Sequence, residues 1–197
     1  MKPLLFLIPL LFFLVPAAPA DENSGQEEVF RIHSVRADFR QEKHLEILAG
    51  PILSTGIFIF QAPQSLRWEY RTPIRSLLIM HEGRVKKYVE RDGRLQEETM
   101  GFDSMQVVLS EITNWLDGRF TDNRMFKVSF PDKKTVLLLP QDKGLGALIS
   151  SIELKLGEQR GLLDEVTIFE GPDSYTRLIF SNRVLNQEIP ASLFTEQ

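Results

Sequence analysis

The chain contains no cysteine. It can form no disulfide, offer no thiol nucleophile and carry no lipid on an N-terminal cysteine. Histidine is scarce as well. The three present, His33, His44 and His81, fall on separate elements, without a second histidine four residues on or a carboxylate at metal-ligand spacing. His81-Glu82-Gly83 shares a fragment of a zinc-protease motif but sits in a turn signal, so His81 is expected to be a surface turn residue. There is no Gly-x-Ser-x-Gly, hence no nucleophile elbow. Gly144-x-Gly146 is too short to cradle a phosphate, and no lysine follows at the required place. Asp103 and Glu111 flank one helix face, where capping and solvation explain them better than paired acid–base work. Basic clusters are missing too: 23 Lys and Arg stand against 27 Asp and Glu, a net charge of −4. Nucleic acid demands clustered cations, so it is excluded as a partner.

Beyond the first 20 residues there is no long apolar run. Those 20 form a leader: Lys2 gives a positive start, Leu4 to Val15 an apolar stretch, and Ala18-Pro19-Ala20 a small-x-small cleavage pattern. Pro3, Pro9 and Pro16, and a span well under the ~20 residues that cross a bilayer, argue against a retained anchor. The expectation is a signal peptide, 1–20, and one domain, 21–197. The leader holds one basic residue and no acidic one, so the net charge of −4 becomes −5 after cleavage. The mature product is expected to be soluble, in the periplasm or outside the cell.

What the sequence does have is Ser54 to Pro73, two short strands around a turn. Ile57, Phe58, Ile59 and Phe60 form an unbroken run of strand-favouring residues. Pro63 breaks it. Leu66, Trp68 and Tyr70 then alternate with Arg67 and Glu69, which puts the first three on one face. An apolar face of that size needs a cover.

Around this hairpin, residues 27–33 carry a weak helical period. Strands are expected at 35–48, 53–61, 65–70, 75–81 and 85–90, with Asp92-Gly93 a strong two-residue hairpin signal. The period then changes. Met105, Val108, Leu109, Ile112, Trp115 and Leu116 recur at helical spacing, with Asp103 or Ser104 as cap and Gly118 beyond the end. Strands resume at 126–130, 135–139, 149–156, 163–170 and 176–181, with Lys143 to Ala147 a flexible connection. Short strands at hairpin spacing, interrupted by one helix, predict a single antiparallel sheet. That many strands must twist and curl or close. Composition alone reads the apolar inventory as ordinary core. The alternative is a curved sheet lidded by the helix, enclosing a cavity without hydrogen-bonding demands.

Several pieces in order resemble one family. Ala37-Asp38-Phe39-Arg40-Gln41 is similar to an A-x-F-x-Q signature. Gly56, Pro63, Leu66-x-Trp68-x-Tyr70, Pro73 and Glu82-Gly83-x-Val85 follow. Then come Pro140, Ile152-x-Leu154-x-Leu156, Phe180-Ser181-Asn182 and Asn186-x-x-Ile189-Pro190-x-x-x-Phe194. Over roughly residues 30–194 the set resembles the periplasmic lipoprotein carriers of the LolA family.

The resemblance implies a mainly β fold with helices: an unclosed antiparallel β-barrel, a curved sheet of about ten to eleven strands with an α-helical lid. It implies a non-catalytic carrier in the periplasm with no cofactor, neither ATP nor metal, acting as a monomer. Its cargo is an acylated lipoprotein or lipid, its donor an inner-membrane ABC transporter and its acceptor an outer-membrane receptor lipoprotein. Phe58, Phe60, Leu66, Trp68, Leu78 and Met80 are then the candidate acyl-binding residues, although hairpin register leaves Ile57 or Leu77 as alternatives for the interior. Val108, Leu109, Ile112 and Trp115 form the lid face. Carriers of the best-known type often hold the lid with an arginine just before the turn proline. Here that position is Ala62, and Arg67 is expected to point off the Trp68 face. A carrier of another lipid, or an envelope sensor or binding module on the same scaffold, remains the alternative.

Overall fold

The computed structural model describes residues 32–99, 107, 111–112, 114–116, 119–121, 123–159 and 162–195. The expected helix at 27–33 lies mostly outside them, and Ile32 and His33 are not helical. The strands are β1 Ser34–His44, β2 Ile52–Gln61, β3 Ser65–Thr72, β4 Ser76–His81, β5 Arg84–Arg91 and β6 Arg94–Glu98. They continue with β7 Phe126–Asp132, β8 Thr135–Pro140, β9 Ser151–Leu156, β10 Leu163–Phe169 and β11 Tyr175–Leu185. All belong to one 11-stranded sheet in the order β6-β5-β4-β3-β2-β1-β11-β10-β9-β8-β7. Every neighbouring pair is antiparallel. β6 and β7 are the two edges and do not pair, so the curled sheet stays open.

The chain thus makes two meanders joined by β1 and β11. Glu82-Gly83 and Asp92-Gly93 have positive φ at both central positions (49° and 73°, 53° and 73°), the primed turns whose twist matches flanking strands. β6, foreshadowed in the sequence by Asp92-Gly93 alone, follows from the second. β1 stops at His44, short of the expected 48, because Leu45 to Leu48 close a turn (Leu48 N–H to the Leu45 carbonyl, 2.9 Å). β11 is longer than expected. It continues through a register shift at which Asn182 takes a left-handed φ of 49° and donates from Nδ2 to Asp38 Oδ2 at 2.8 Å. The stretch expected to be a flexible link is a single helical turn, Lys143–Gly146. Asp142 Oδ1 accepts from the Gly144 and Leu145 N–H groups there, an N-cap overlooked in the sequence. Pro131 falls inside β7, which tolerates it as an edge strand.

The sheet buries residues on both faces. On the concave side Val35, Ala37, Phe39, Phe58, Phe60, Leu66 and Trp68 meet Val136, Leu138, Ile152, Leu154, Val166, Ile168, Leu178 and Phe180 from the other wing. On the convex side Ile57, Ile59, Leu77, Ile79 and Tyr88 are covered by Phe194, with Ile189 and Leu193 alongside. That cover is the C-terminal segment ending in the 3₁₀ turn Ala191–Phe194. It is fastened by Ser34 Oγ donating to the Gln187 carbonyl (2.6 Å), the His33 N–H to Asn186 Oδ1 (2.7 Å) and Arg67 Nη1 to the Leu193 carbonyl (3.0 Å). His81 is not the surface turn residue expected. It ends β4 half-buried, stacks on Phe194 at 5.9 Å and hydrogen-bonds Ser65 Oγ through Nδ1 at 2.8 Å.

Candidate functional site: the concave face

Register assigns every β2–β4 side chain to a face. Phe58 lies opposite Trp68, and Trp68 opposite Leu78; Phe60 lies opposite Leu66, and Leu66 opposite Met80. All six pack into the concave cluster, Leu78 and Met80 half-buried at its margin. Ile57 and Leu77, the register alternatives, belong to the convex cluster. The centre is aromatic. Trp68 meets Phe58 at 5.3 Å, Phe39 at 5.5 Å and Phe180 at 6.4 Å, all edge-to-face. Such pairs add about 0.5–1.5 kcal/mol each to plain area burial.

β2 carries Gly56 where this packing is tightest. A Cβ there would sit 1.9 Å from the Glu69 carbonyl oxygen and 2.8 Å from the Phe39 ring. Only a bare backbone lets β2 pass β3 at the register shift between Thr55 and Gly56 with the Phe39 ring over it.

Val107, Glu111, Ile112, Asn114, Trp115 and Leu116 are helical, and Val107, Ile112, Trp115 and Leu116 pack against the concave cluster. Of the four expected lid residues, Ile112 and Trp115 therefore join the sheet's interior. Val108 and Leu109 lie outside the described residues, as does Asp103. Glu111 departs from the solvated role expected for it. It is buried and accepts from Asn123 Nδ2 at 2.6 Å, while Asn123 Oδ1 accepts from the Met125 and Phe126 N–H groups at the start of β7. A buried carboxylate so satisfied ties the helical residues to one edge of the sheet.

A small apolar recess of about 20 Å³, room for little more than one water-sized sphere, lies between these residues and the sheet. Ile112 and Leu116 form one side; Val35, Ala37, Phe58, Leu162, Leu163 and Phe180 the other, with Arg183 at the rim. Arg183 is held there by Asp164 and the Leu163 carbonyl. Of the predicted site residues, Phe58 and Ile112 line the recess itself. The β1 and β11 contributions were missed, although the Val35-Ala37-Phe39 alternation and Phe180-Ser181-Asn182 stand in the sequence as the signals for them.

Ala62 packs half-buried against the same cluster and donates its N–H to the His33 carbonyl at 2.8 Å, so it offers no side-chain latch. Arg67 points the other way. It is buried beneath the C-terminal segment, where Nε and Nη2 grip Glu69 Oε2 at 3.1 and 3.0 Å. Burial alone would raise the Glu69 pKa. Arg67, by hydrogen bonds and charge, and then Arg75 outweigh it and hold the carboxyl below its ordinary value. Among the described residues no group of three or more metal-ligating side chains comes together.

The sequence of this open, apolar-lined sheet matches the family model described as outer membrane lipoprotein carrier protein LolA over residues 31–197. The chain belongs to the LolA family. The match takes in both wings, the helical residues and the C-terminal segment. No curated protein matches the sequence. Similar solved structures include a LolA superfamily protein from Nitrosomonas europaea, 11% identical, with 85% of this chain and 92% of that one covered at a TM-score of 0.45. A DUF1329 family protein from Desulfovibrio piger is 10% identical, with coverage of 83% and 90% and a TM-score of 0.45.

Proposed function

We propose that this LolA-family chain is a non-catalytic periplasmic carrier that shelters the acyl chains of lipoproteins on its concave face. The observation that carries this reading is the composition of that face: aromatic and aliphatic side chains from nine strands and a helix converge there, with a recess opening between helix and sheet. An acyl chain gains about 0.8 kcal/mol for each CH₂ it buries, so an apolar container is what a lipid anchor needs while it crosses water. Phe58, Phe60, Leu66, Trp68, Leu78 and Met80 form the floor that receives the chains, and Ile112 and Trp115 move aside to admit them. After removal of residues 1–20 the protein collects its cargo from an inner-membrane ABC transporter. It surrenders it to an outer-membrane receptor lipoprotein.

The test is mass spectrometry of an organic extract of the purified mature protein, with displacement of a fluorescent fatty-acid probe by an acylated peptide. Copurified acyl species and displacement are expected. Lipid-free protein that ignores the probe would overturn the reading.

A further inference from the structure

Among the described residues of the concave cluster, two buried polar side-chain atoms stand without a partner, and both are indole nitrogens. Trp68 is 1% exposed and Trp115 0%. The indole Nε1–H of each is buried and has no hydrogen-bond partner among the described residues. A buried N–H without an acceptor costs about 1–3 kcal/mol, and buried indoles usually find one. Two in one cluster, on the floor and on the opposing helical residues, are out of keeping with a container for plain hydrocarbon. Neither tryptophan is remote from the opening: Trp68 touches Phe58 and Phe180, which line the recess, and Ile112 and Leu116 flank Trp115 in sequence and line it too.

We propose that Trp68 and Trp115 form a polar subsite that receives the neutral ester carbonyl of an O-acyl lipid. The recognised feature is thus the linkage between chain and headgroup as well as the chain. This rests on the carrier reading above and adds to it the class of ligand. The chemistry narrows the choice. An indole N–H donates and cannot accept, so the ligand must bring an acceptor. A carboxylate or phosphate would be a charge buried without a counter-ion, since Arg183 stands at the rim engaged with Asp164. A hydroxyl or an amide brings its own donor into a space lined by apolar side chains. An ester carbonyl accepts and asks for nothing in return.

The experiment compares dipalmitoylglycerol with its dihexadecyl ether analogue, equal in chain length and lacking the carbonyls. Both bind the purified full-length mature protein by displacement of a fluorescent fatty-acid probe. The diester is expected to bind about tenfold more tightly than the diether, and the difference to vanish in Trp68→Phe/Trp115→Phe, which keeps the rings and removes the N–H groups. A second measurement needs no variant: the infrared stretch of ¹³C-labelled ester carbonyls in the wild-type complex should shift to the lower frequency of a hydrogen-bonded ester. Equal affinity for the two lipids, or an unshifted carbonyl band, overturns the subsite and leaves the carrier standing. Failure of both lipids to bind overturns the carrier reading and the subsite with it.

Discussion

Residues 67 and 68 are adjacent and belong to different faces. Trp68 stands among the concave aromatics; Arg67 is buried beneath the C-terminal segment. Their substitutions should separate accordingly. Trp68→Ala is expected to weaken displacement of an acyl probe at least tenfold, and Arg67→Ala to leave it near wild type. Arg67→Ala should instead lower stability in urea by about 2–3 kcal/mol, because it strips a buried carboxylate of its main partner. Equal effects of the two on binding would refute the face assignment. Glu69 supplies a pH signature. Its pKa is lowered in the folded protein, so the stability it confers is complete above the ordinary glutamate value and disappears as pH falls through the lowered native value. The urea midpoint should hold from neutrality to that region and then drop, with a smaller drop in Glu69→Gln. The alternation of Leu66, Trp68 and Tyr70 made the concave face of β3 readable. It could not show that Arg67 is buried, because the carbonyl it grips belongs to Leu193, far along the chain.

At the scale of elements, β2 explains why register resisted prediction. Its run Ile57 to Phe60 is apolar on both faces because both faces are covered, one by the concave core and one by the C-terminal segment. An unbroken run carries no period, and the second cover is a short 3₁₀ turn with little signal of its own. The strands elsewhere were legible from turn chemistry, since primed turns and prolines punctuate them. The one-turn helix at Lys143 was not, because its signal is a single capping aspartate. Gly56 is the sharpest element-level probe. Gly56→Ala would drive β2 away from the Glu69 carbonyl and Phe39, and a loss of at least about 2–3 kcal/mol in urea denaturation is expected, beyond what an ordinary strand glycine would show. A change under about 0.5 kcal/mol would mean that the two strands do not approach as described.

For the molecule as a whole, the carrier reading proposed above requires the helical residues Ile112, Trp115 and Leu116 to move aside when cargo enters. The absence of native cysteine allows an introduced pair to be unique. Leu116 and Leu162 face the same recess from opposite sides. Leu116→Cys/Leu162→Cys joined by a short bis-maleimide should lose uptake of an acyl probe, whereas the unlinked variant retains it. Undiminished uptake after complete cross-linking would mean that cargo enters without moving the helix.

The seam at the middle of the sheet has a consequence for how the protein comes into being. β1 and β11 are neighbours in space, and Asp38 and Asn182, which join across them, are 144 residues apart in sequence. Each wing is a succession of hairpins that can zip locally, but the two wings become one molecule when the last long strand arrives to meet the first. Contacts of such separation form slowly because the loop must close before anything rewards it. A chain threaded through a membrane from its N-terminus would therefore stay pliable until nearly all of it has emerged, and its interior would first exist on the far side.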